Sequence, residues 1–485
     1  MNSNTERRLG DRIARELYRD PDYIDDPVLS EYVQGVWQPL LTAARSRGDL
    51  SAELDERFAW KILMGRDRSV NAFALPGGYF GVHLGLLAMV DGRDELASVL
   101  GHELSHVTQR HISRLLSKQG QQLPWMIGSI LLGALAAGKS VDAANALIVG
   151  GQALVAQNQL NFSRDMEREA DRVGLGVMTQ AGFDGRGFIG MFDKLQMAAR
   201  LNDKGAYPYL RSHPLTTERI ADLQSRQGLS TTGDTSTKVT AEDAIMAVRA
   251  RVLSNPGVDA LRAIVSQADS ADLANQAIAR QAGMLYGASL AASRLRDAAA
   301  ARHALARLKE PVRDDAAGRR LARLLEAEIA LAAGDSAQAI TVLEATAPGE
   351  SGVTRAVANQ RRPELFLLAQ AATQPGQTRH AGELAQRLQV WLLTHPHDAQ
   401  AWQLLASTYA AENQTLRAIR AEAEALTAQL DYAAALDRFK AAQERLRESR
   451  ATGADQAALE HIEASIIDTR KRQVELLLKE QSLDR

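Results

Sequence analysis

Residues Asp94–Leu116 read DELASVLGHELSHVTQRHISRLL, and Leu96, Val99, Leu100 and Leu104 recur at the spacing of one helical face. That pattern predicts an amphipathic helix packed on a core. Within it lies His102-Glu103-Leu104-Ser105-His106. Residues four apart share a face of an α-helix, so His102 and His106 can hold one tetrahedral cation. Glu103 sits beside them, where a carboxylate could take a proton from metal-activated water. The plainer alternative is two surface histidines on an ordinary helix. His111, five residues past His106 and about half a turn round from His102, is expected outside the metal group and at the surface. His83, in an apolar run, reads as a core residue.

Zinc held by two histidines needs a third protein ligand. Downstream stands SRDMEREAD, Ser163–Asp171, in which Glu167, Glu169 and Asp171 compete for the role. Glu167 and Asp171 are four apart and share a face, whereas Glu169 points nearly opposite. Glu167 as ligand, with Asp171 bracing an imidazole N–H, is the arrangement a catalytic zinc site wants. The alternative is a solvated helix whose acids pair with Arg164, Arg168 and Arg172.

The whole chain has 485 residues, with 57 Lys+Arg against 59 Asp+Glu, so that 57 − 59 gives −2. At roughly 150 residues per domain this is about three compact units, or fewer with a repeat array. With 45% apolar and 24% charged residues the chain is ordinary globular material. Nucleic acid is not expected as a partner, because no basic excess exists to neutralise phosphates. The absence of cysteine excludes disulfides, Cys-ligated zinc, iron–sulfur clusters and thiol nucleophiles. The opening residues, MNSNTERRLGDR, carry no apolar stretch of a secretory leader. The most apolar run, Pro124–Gly138, is shorter than the ~20 residues needed to span a bilayer. The surrounding stretch Trp125–Gln157 is expected as buried helices. Its functional alternative is a flap, or an apolar surface for unfolded substrate or peripheral membrane contact.

Residues Gly228–Thr240, GLSTTGDTSTKVT, are small and polar without periodicity and read as a linker. This divides the chain into 1–227, a linker at 228–240, and 241–485. The first part mixes helical patterns with a Gly-rich turn and a short strand, whereas the second is helical almost throughout. The class is therefore mainly α with a small β-sheet, α+β. The run from Leu324 gives a helix, a Gly334-Asp335 turn, a second helix and a closing Pro348. Trp402, Leu405, Ala406 and Tyr409 have the spacing of a tetratricopeptide first helix, and Tyr432, Ala435 and Phe439 that of a second. An Ala-rich bundle without true repeats is the alternative.

The H-E-x-x-H helix followed by S-R-x-x-E-x-x-A-D resembles the zinc metalloprotease family that includes HtpX and the CAAX prenyl proteases. Further matching stretches are NAFALPGG (Asn71–Gly78) and SHPLTTER (Ser212–Arg219). Within that family the layout is similar to members carrying tetratricopeptide repeats after the protease domain. The resemblance implies a gluzincin-like domain with one Zn2+ per chain on His102, His106 and Glu167, and Glu103 as general base. It implies that Asn71, Ala72, Pro76 and Gly77 belong to a strand and turn offering backbone to an extended substrate. A Gly-rich turn between core strands is the simpler reading of that stretch. It implies for His213 either donation to an oxyanion or a fourth zinc position that keeps the enzyme latent, and such members favour the second. Arg219 could assist substrate or transition state, or form a surface salt bridge. The implied setting is the periplasm of a Gram-negative cell. The implied activity is degradation of misassembled outer-membrane β-barrel proteins, with help in their assembly and contact with the assembly machinery. The competing class is a latent or non-proteolytic chaperone that binds client proteins through its repeats.

Overall fold

A four-stranded sheet and one fully buried helix organise the first part of the chain. The computed structural model describes residues 1–118, 163–200, 207–227, 239–345, 360–448 and 454–482. Trp125–Gln157 lies outside the described residues. By contacts the chain divides into two compact units, Met1–Arg319 and Arg320–Arg485.

In the first unit the strands are β1 (Tyr23–Ile24), β2 (Lys61–Gly65), β3 (Ala72–Leu75) and β4 (Tyr79–His83), in the order β1-β2-β4-β3. β2 and β4 run parallel with Lys61 opposite Tyr79, and β3 pairs antiparallel with β4, Leu75 opposite Tyr79. β3 is thus an edge strand among the described residues. Pro76-Gly77-Gly78 makes the turn between β3 and β4, with φ of 73° at Gly77 and 78° at Gly78, a region open chiefly to glycine. Helix α1 (Ser3–Arg19) lies directly on that turn, so a Cβ at Gly10 would meet the Pro76 carbonyl oxygen at 2.0 Å.

Helix α2 (Pro27–Arg47) begins with Asp26 accepting from Leu29 N–H and Pro27 in its first turn, and ends at Gly48 with φ of 77°. Its apolar face includes Val33, Val36, Trp37 and Leu40, all buried. The Trp37 ring meets Phe80 of β4 edge-on, at 4.6 Å between centroids. After helices α3 (Ala52–Arg57) and α4 (Leu84–Met89) comes α5 (Arg93–Thr108), buried without interruption from Leu96 to Thr108. A helix enclosed all round is a core helix. Against it pack β3, α2 and two later helices.

Helix α6 (His111–Lys118) follows α5 after a break. Helices α7 (Arg164–Gln180), α8 (Arg186–Arg200), α9 (Tyr209–Ser212) and α10 (Thr217–Gln227) complete the surroundings of the site. The helix Ala241–Leu253 packs on α4 and on the helix Ile278–Arg294. Its charged face is tied down: Tyr32 donates to Asp243 at 2.7 Å, and Arg249 meets Asp26 at 2.6 Å. These contacts place residues 241–319 in the same compact unit as α5.

The second unit is wholly helical among its described residues. Ala316–Ala332 leads through Gly334, at φ 79°, into Ser336–Glu344, where Asp335 accepts from Gln338 N–H. Later helices Ala399–Ala411, Thr415–Ala428, Tyr432–Glu448 and Ala454–Ser482 pack each on the next. Leu405, Ala406 and Tyr409 are buried, and Phe439 joins Ile467 and Val474 in a shared core. No helix among the described residues is long and apolar enough to cross a membrane.

Candidate metal centre

α5 supplies His102, Glu103 and His106, all within 2% of full burial. α7 begins with Ser163 accepting from Met166 N–H, which starts the helix so that Glu167 and Asp171 face α5. The two helices approach across a pair of glycines. A Cβ on Gly174 would lie 3.0 Å from the backbone of Gly101 and His102, so small residues at both positions set how near the carboxylates come to the histidines.

One ligand atom from each of His102, His106, Glu167 and His213 falls within 4.8 Å of the others. His106 Nε2 is 3.0 Å from His102 Nε2 and 3.4 Å from Glu167 Oε1. His213, from the loop after α9, brings Nδ1 to 3.1 Å from Glu167 Oε1 and 3.3 Å from His102 Nε2. Three imidazole nitrogens and one carboxylate converging on one buried point form a donor set suited to zinc. Glu103 stands beside it with neither carboxylate oxygen hydrogen-bonded. His213 Nε2 lies 3.4 Å from its Oε1. Such an orphaned buried acid is costly unless something else interacts with its charge. The residues fit a single metal ion.

Burial disfavours charge on every member, and the neighbours decide each outcome. For His102, hydrogen bonds to Asp171 and Glu167 overcome burial and raise its pKa to about 9. Burial and the adjacent His102 hold His106 well below its ordinary value. Burial also opposes ionisation of Glu167, yet His213 and His102 keep its carboxyl well below the usual range. Glu103 moves the other way: burial pushes it up, and His213, His102 and a weak interaction with the Tyr209 hydroxyl only partly counter this.

The supporting contacts are as specific as the ligands. Asp171 Oδ1 lies 2.9 Å from His102 Nδ1. Arg219 grips Asp171 with Nε and Nη2 at 2.6 and 2.7 Å, and its Nη1 is 2.8 Å from Glu167 Oε2. Arg219 is therefore no surface ion pair; it is 3% exposed. Tyr209 was not singled out in the sequence. Its ring stacks on His213 at 4.7 Å, and its N–H donates to Val70, just before β3. The tyrosine four residues before the histidine was the available signal.

His111 corrects an expectation. It is completely buried, not at the surface, with Nδ1 3.0 Å from His106 Nδ1 and Nε2 3.0 Å from Glu169. The helix ends at Thr108 and Arg110 at φ 57° re-aims the chain, so helical spacing does not carry as far as His111. His83 is half-buried against Ser69 and outside the metal group. Asn71 and Ala72 are buried at the start of edge strand β3, which packs on α5, whereas Pro76 and Gly77 are buried under α1.

A model of peptidase family M48 matches residues 42–227. The chain is similar to the β-barrel assembly-enhancing protease of Escherichia coli, 30% identical over 440 residues, which covers 89% of this chain and 82% of that protein. This chain belongs to peptidase family M48. The chain is also 37% identical over 221 residues to the putative β-barrel assembly-enhancing protease of Vibrio cholerae, covering 45% of this chain and 43% of that one. A mitochondrial metalloendopeptidase of Schizosaccharomyces pombe is 32% identical over 165 residues, covering 34% and 46%. As an M48 peptidase the chain is a metalloprotease acting on polypeptides, with one zinc site formed by the buried group.

Proposed function

We propose that this M48 peptidase is a zinc endopeptidase of protein quality control that degrades misassembled outer-membrane β-barrel proteins and assists the assembly of others. The link to β-barrel assembly is supported by relatives that are β-barrel assembly-enhancing proteases, and the misassembled substrate and the periplasm by the family resemblance. The observation that carries the catalytic reading is Glu103, buried beside a convergent donor set. Among the described residues no arginine or lysine lies against its carboxyl, and only His213 Nε2 is within ion-pair distance.

His102, His106 and Glu167 are the ligands in this reading. Bound zinc supplies a Lewis acid for the scissile carbonyl and for water. Glu103 takes the proton of the attacking water on a carboxylate oxygen and returns it to the leaving amine, and its raised pKa suits both transfers. Asp171, locked by Arg219, accepts from His102 Nδ1–H and so directs Nε2 toward the other donors. β3, an edge strand among the described residues, offers main-chain partners to an extended substrate from Ala72 onward, Asn71 leads into it, and Pro76 and Gly77 shape the turn that ends the strand.

His213 is the fourth donor and keeps the enzyme latent, since a catalytic site needs that position for water. Its contacts with Glu167 and His102, and the stacked Tyr209, support this over an oxyanion role. The helical unit is a tetratricopeptide-like module that recruits substrate and contacts the outer-membrane β-barrel assembly machinery. The His213 contacts also favour a second reading, a latent chaperone that works through that module.

Zinc per chain on wild type and Glu167→Gln, with cleavage assays of wild type, His213→Ala and Glu103→Gln, tests the reading. About one zinc in wild type, its loss in Glu167→Gln, and faster cleavage by His213→Ala are expected. Undiminished cleavage by Glu103→Gln, or no zinc in reloaded wild type, would overturn it. Zinc without cleavage even in His213→Ala would favour the chaperone.

A further inference from the structure

His106 and His111 face each other across their Nδ1 atoms, 3.0 Å apart, and His111 Nε2 lies 3.0 Å from Glu169 Oε2. If His106 is a ligand, one proton assignment satisfies both contacts. Its Nε2 faces His102 and Glu167, so a ligand role leaves the ring proton on Nδ1. That N–H donates to Nδ1 of His111, which must then be bare. The proton of His111 consequently sits on Nε2 and donates to Glu169. Arg114 holds the same carboxylate oxygen at 3.0 Å, from the helix that His111 begins.

We propose that His111 is a positioning residue of the metal site. It holds the His106 ring in the Nδ1–H tautomer and the orientation that zinc binding needs, and it anchors that constraint on Glu169 at the surface. The proposal rests on His106 being a zinc ligand. A histidine buried merely for packing, with its polarity satisfied by Glu169, would have no reason to turn its second nitrogen onto His106. The left-handed backbone of Arg110, uncommon for a residue with a Cβ, gives it that direction. The two ligand histidines are then braced differently. Behind His102 is a buried carboxylate locked by Arg219. Behind His106 is a neutral imidazole backed by Glu169, whose side chain is 30% exposed.

The test is zinc affinity of the full chain by chelator competition. His111→Leu should bind zinc about 10- to 100-fold more weakly, as loss of an outer partner of a ligand histidine does. His111→Asn, whose amide oxygen can accept from His106 Nδ1–H, should recover most of that loss. Glu169→Ala should weaken zinc binding in the same direction but less. Because Glu169 reaches the surface, this variant keeps the test decisive if His111→Leu fails to fold. Wild-type affinity in Glu169→Ala and in folded His111→Leu would overturn the proposal. So would equal losses in His111→Leu and His111→Asn, which would mean packing alone. A wild-type chain without zinc, or His106→Ala binding it normally, would instead overturn the ligand reading beneath it.

Discussion

In the helical unit Glu364 is fully buried, and its two oxygens meet Arg320 at 2.5 and 2.7 Å. Glu103 of the protease unit is equally buried, and neither of its oxygens has a hydrogen-bond partner. The same contrast repeats around them. Glu424 is gripped by Arg470 through both oxygens, and Glu463 by Arg417 and Arg420. In the protease unit Asp171 is gripped by Arg219, and Glu167 faces three imidazoles as well as that arginine. Where a buried acid only has to be tolerated, the fold supplies a guanidinium. At Glu103, which the proposed mechanism requires to exchange a proton, no guanidinium is supplied among the described residues, and His213 Nε2 at 3.4 Å faces it instead.

The contrast breaks first at Glu103. Glu103→Gln keeps the shape and removes the proton acceptor, so cleavage should fall by ~10^3-fold, about 4 kcal/mol of barrier, with folding and zinc content retained. Cleavage rates beside zinc analysis check this, and a variant that cuts normally would remove the functional meaning of the orphaned acid. The opposite behaviour is expected of Glu364→Ala. There the loss is of stability, ~3 kcal/mol, because the largely buried Arg320 loses the carboxylate that faces it. Amide exchange across residues 320–345 and 360–372 should accelerate. The double replacement Glu364→Leu with Arg320→Met should restore most of the protection.

A smaller effect separates geometry from charge. Gly174→Ala would put a methyl 3.0 Å from the backbone of Gly101 and His102. Backbone cannot yield as a side-chain tip does, so α7 must move away from α5 at a cost of ~2 kcal/mol. Thermal unfolding would register that cost. Zinc affinity should fall with it, since Glu167 and Asp171 ride on the displaced helix.

How much of this was readable depends on how local each determinant is. His102, Glu103 and His106 lie within one unbroken helix, and Glu167 and Asp171 within another, so periodicity alone assigns their faces. His213 sits in a loop, where no periodicity operates, and only the resemblance of its SHP segment drew notice to it. His111 was misjudged because Arg110 breaks the helix that the spacing argument assumed to continue. The burial of Arg219 depends on Asp171, 48 positions away, and no local pattern carries that. Likewise, composition changes abruptly at 228–240, yet the contacts from Tyr32 to Asp243 and from Asp26 to Arg249 tie the helix Ala241–Leu253 to α2 and its cap. The closeness of Gly101 and Gly174 likewise joins two helices far apart in the sequence, and no local pattern carries it.

The weakest test of the contrast is an acid that is paired but exposed. Arg45 holds Asp55 at 2.7 and 2.8 Å, a geometry as good as that of the buried pairs, on the solvent face of the protease unit. If burial rather than geometry decides what a pair contributes, Asp55→Asn should cost under ~1 kcal/mol at pH 7. The hydrogen bond from Arg45 lowers the Asp55 pKa below 3.8. Stability from a carboxylate with a depressed folded pKa is present above its unfolded value and lost as pH falls through the folded one. The difference between wild type and Asp55→Asn should therefore be constant from pH 7 to about pH 5 and shrink below pH 4. Denaturant midpoints measured across that range check both claims. A cost at pH 7 matching that of Glu364→Ala would show that close ion pairing suffices without burial, and the absence of a partner at Glu103 would lose its force as a mark of function.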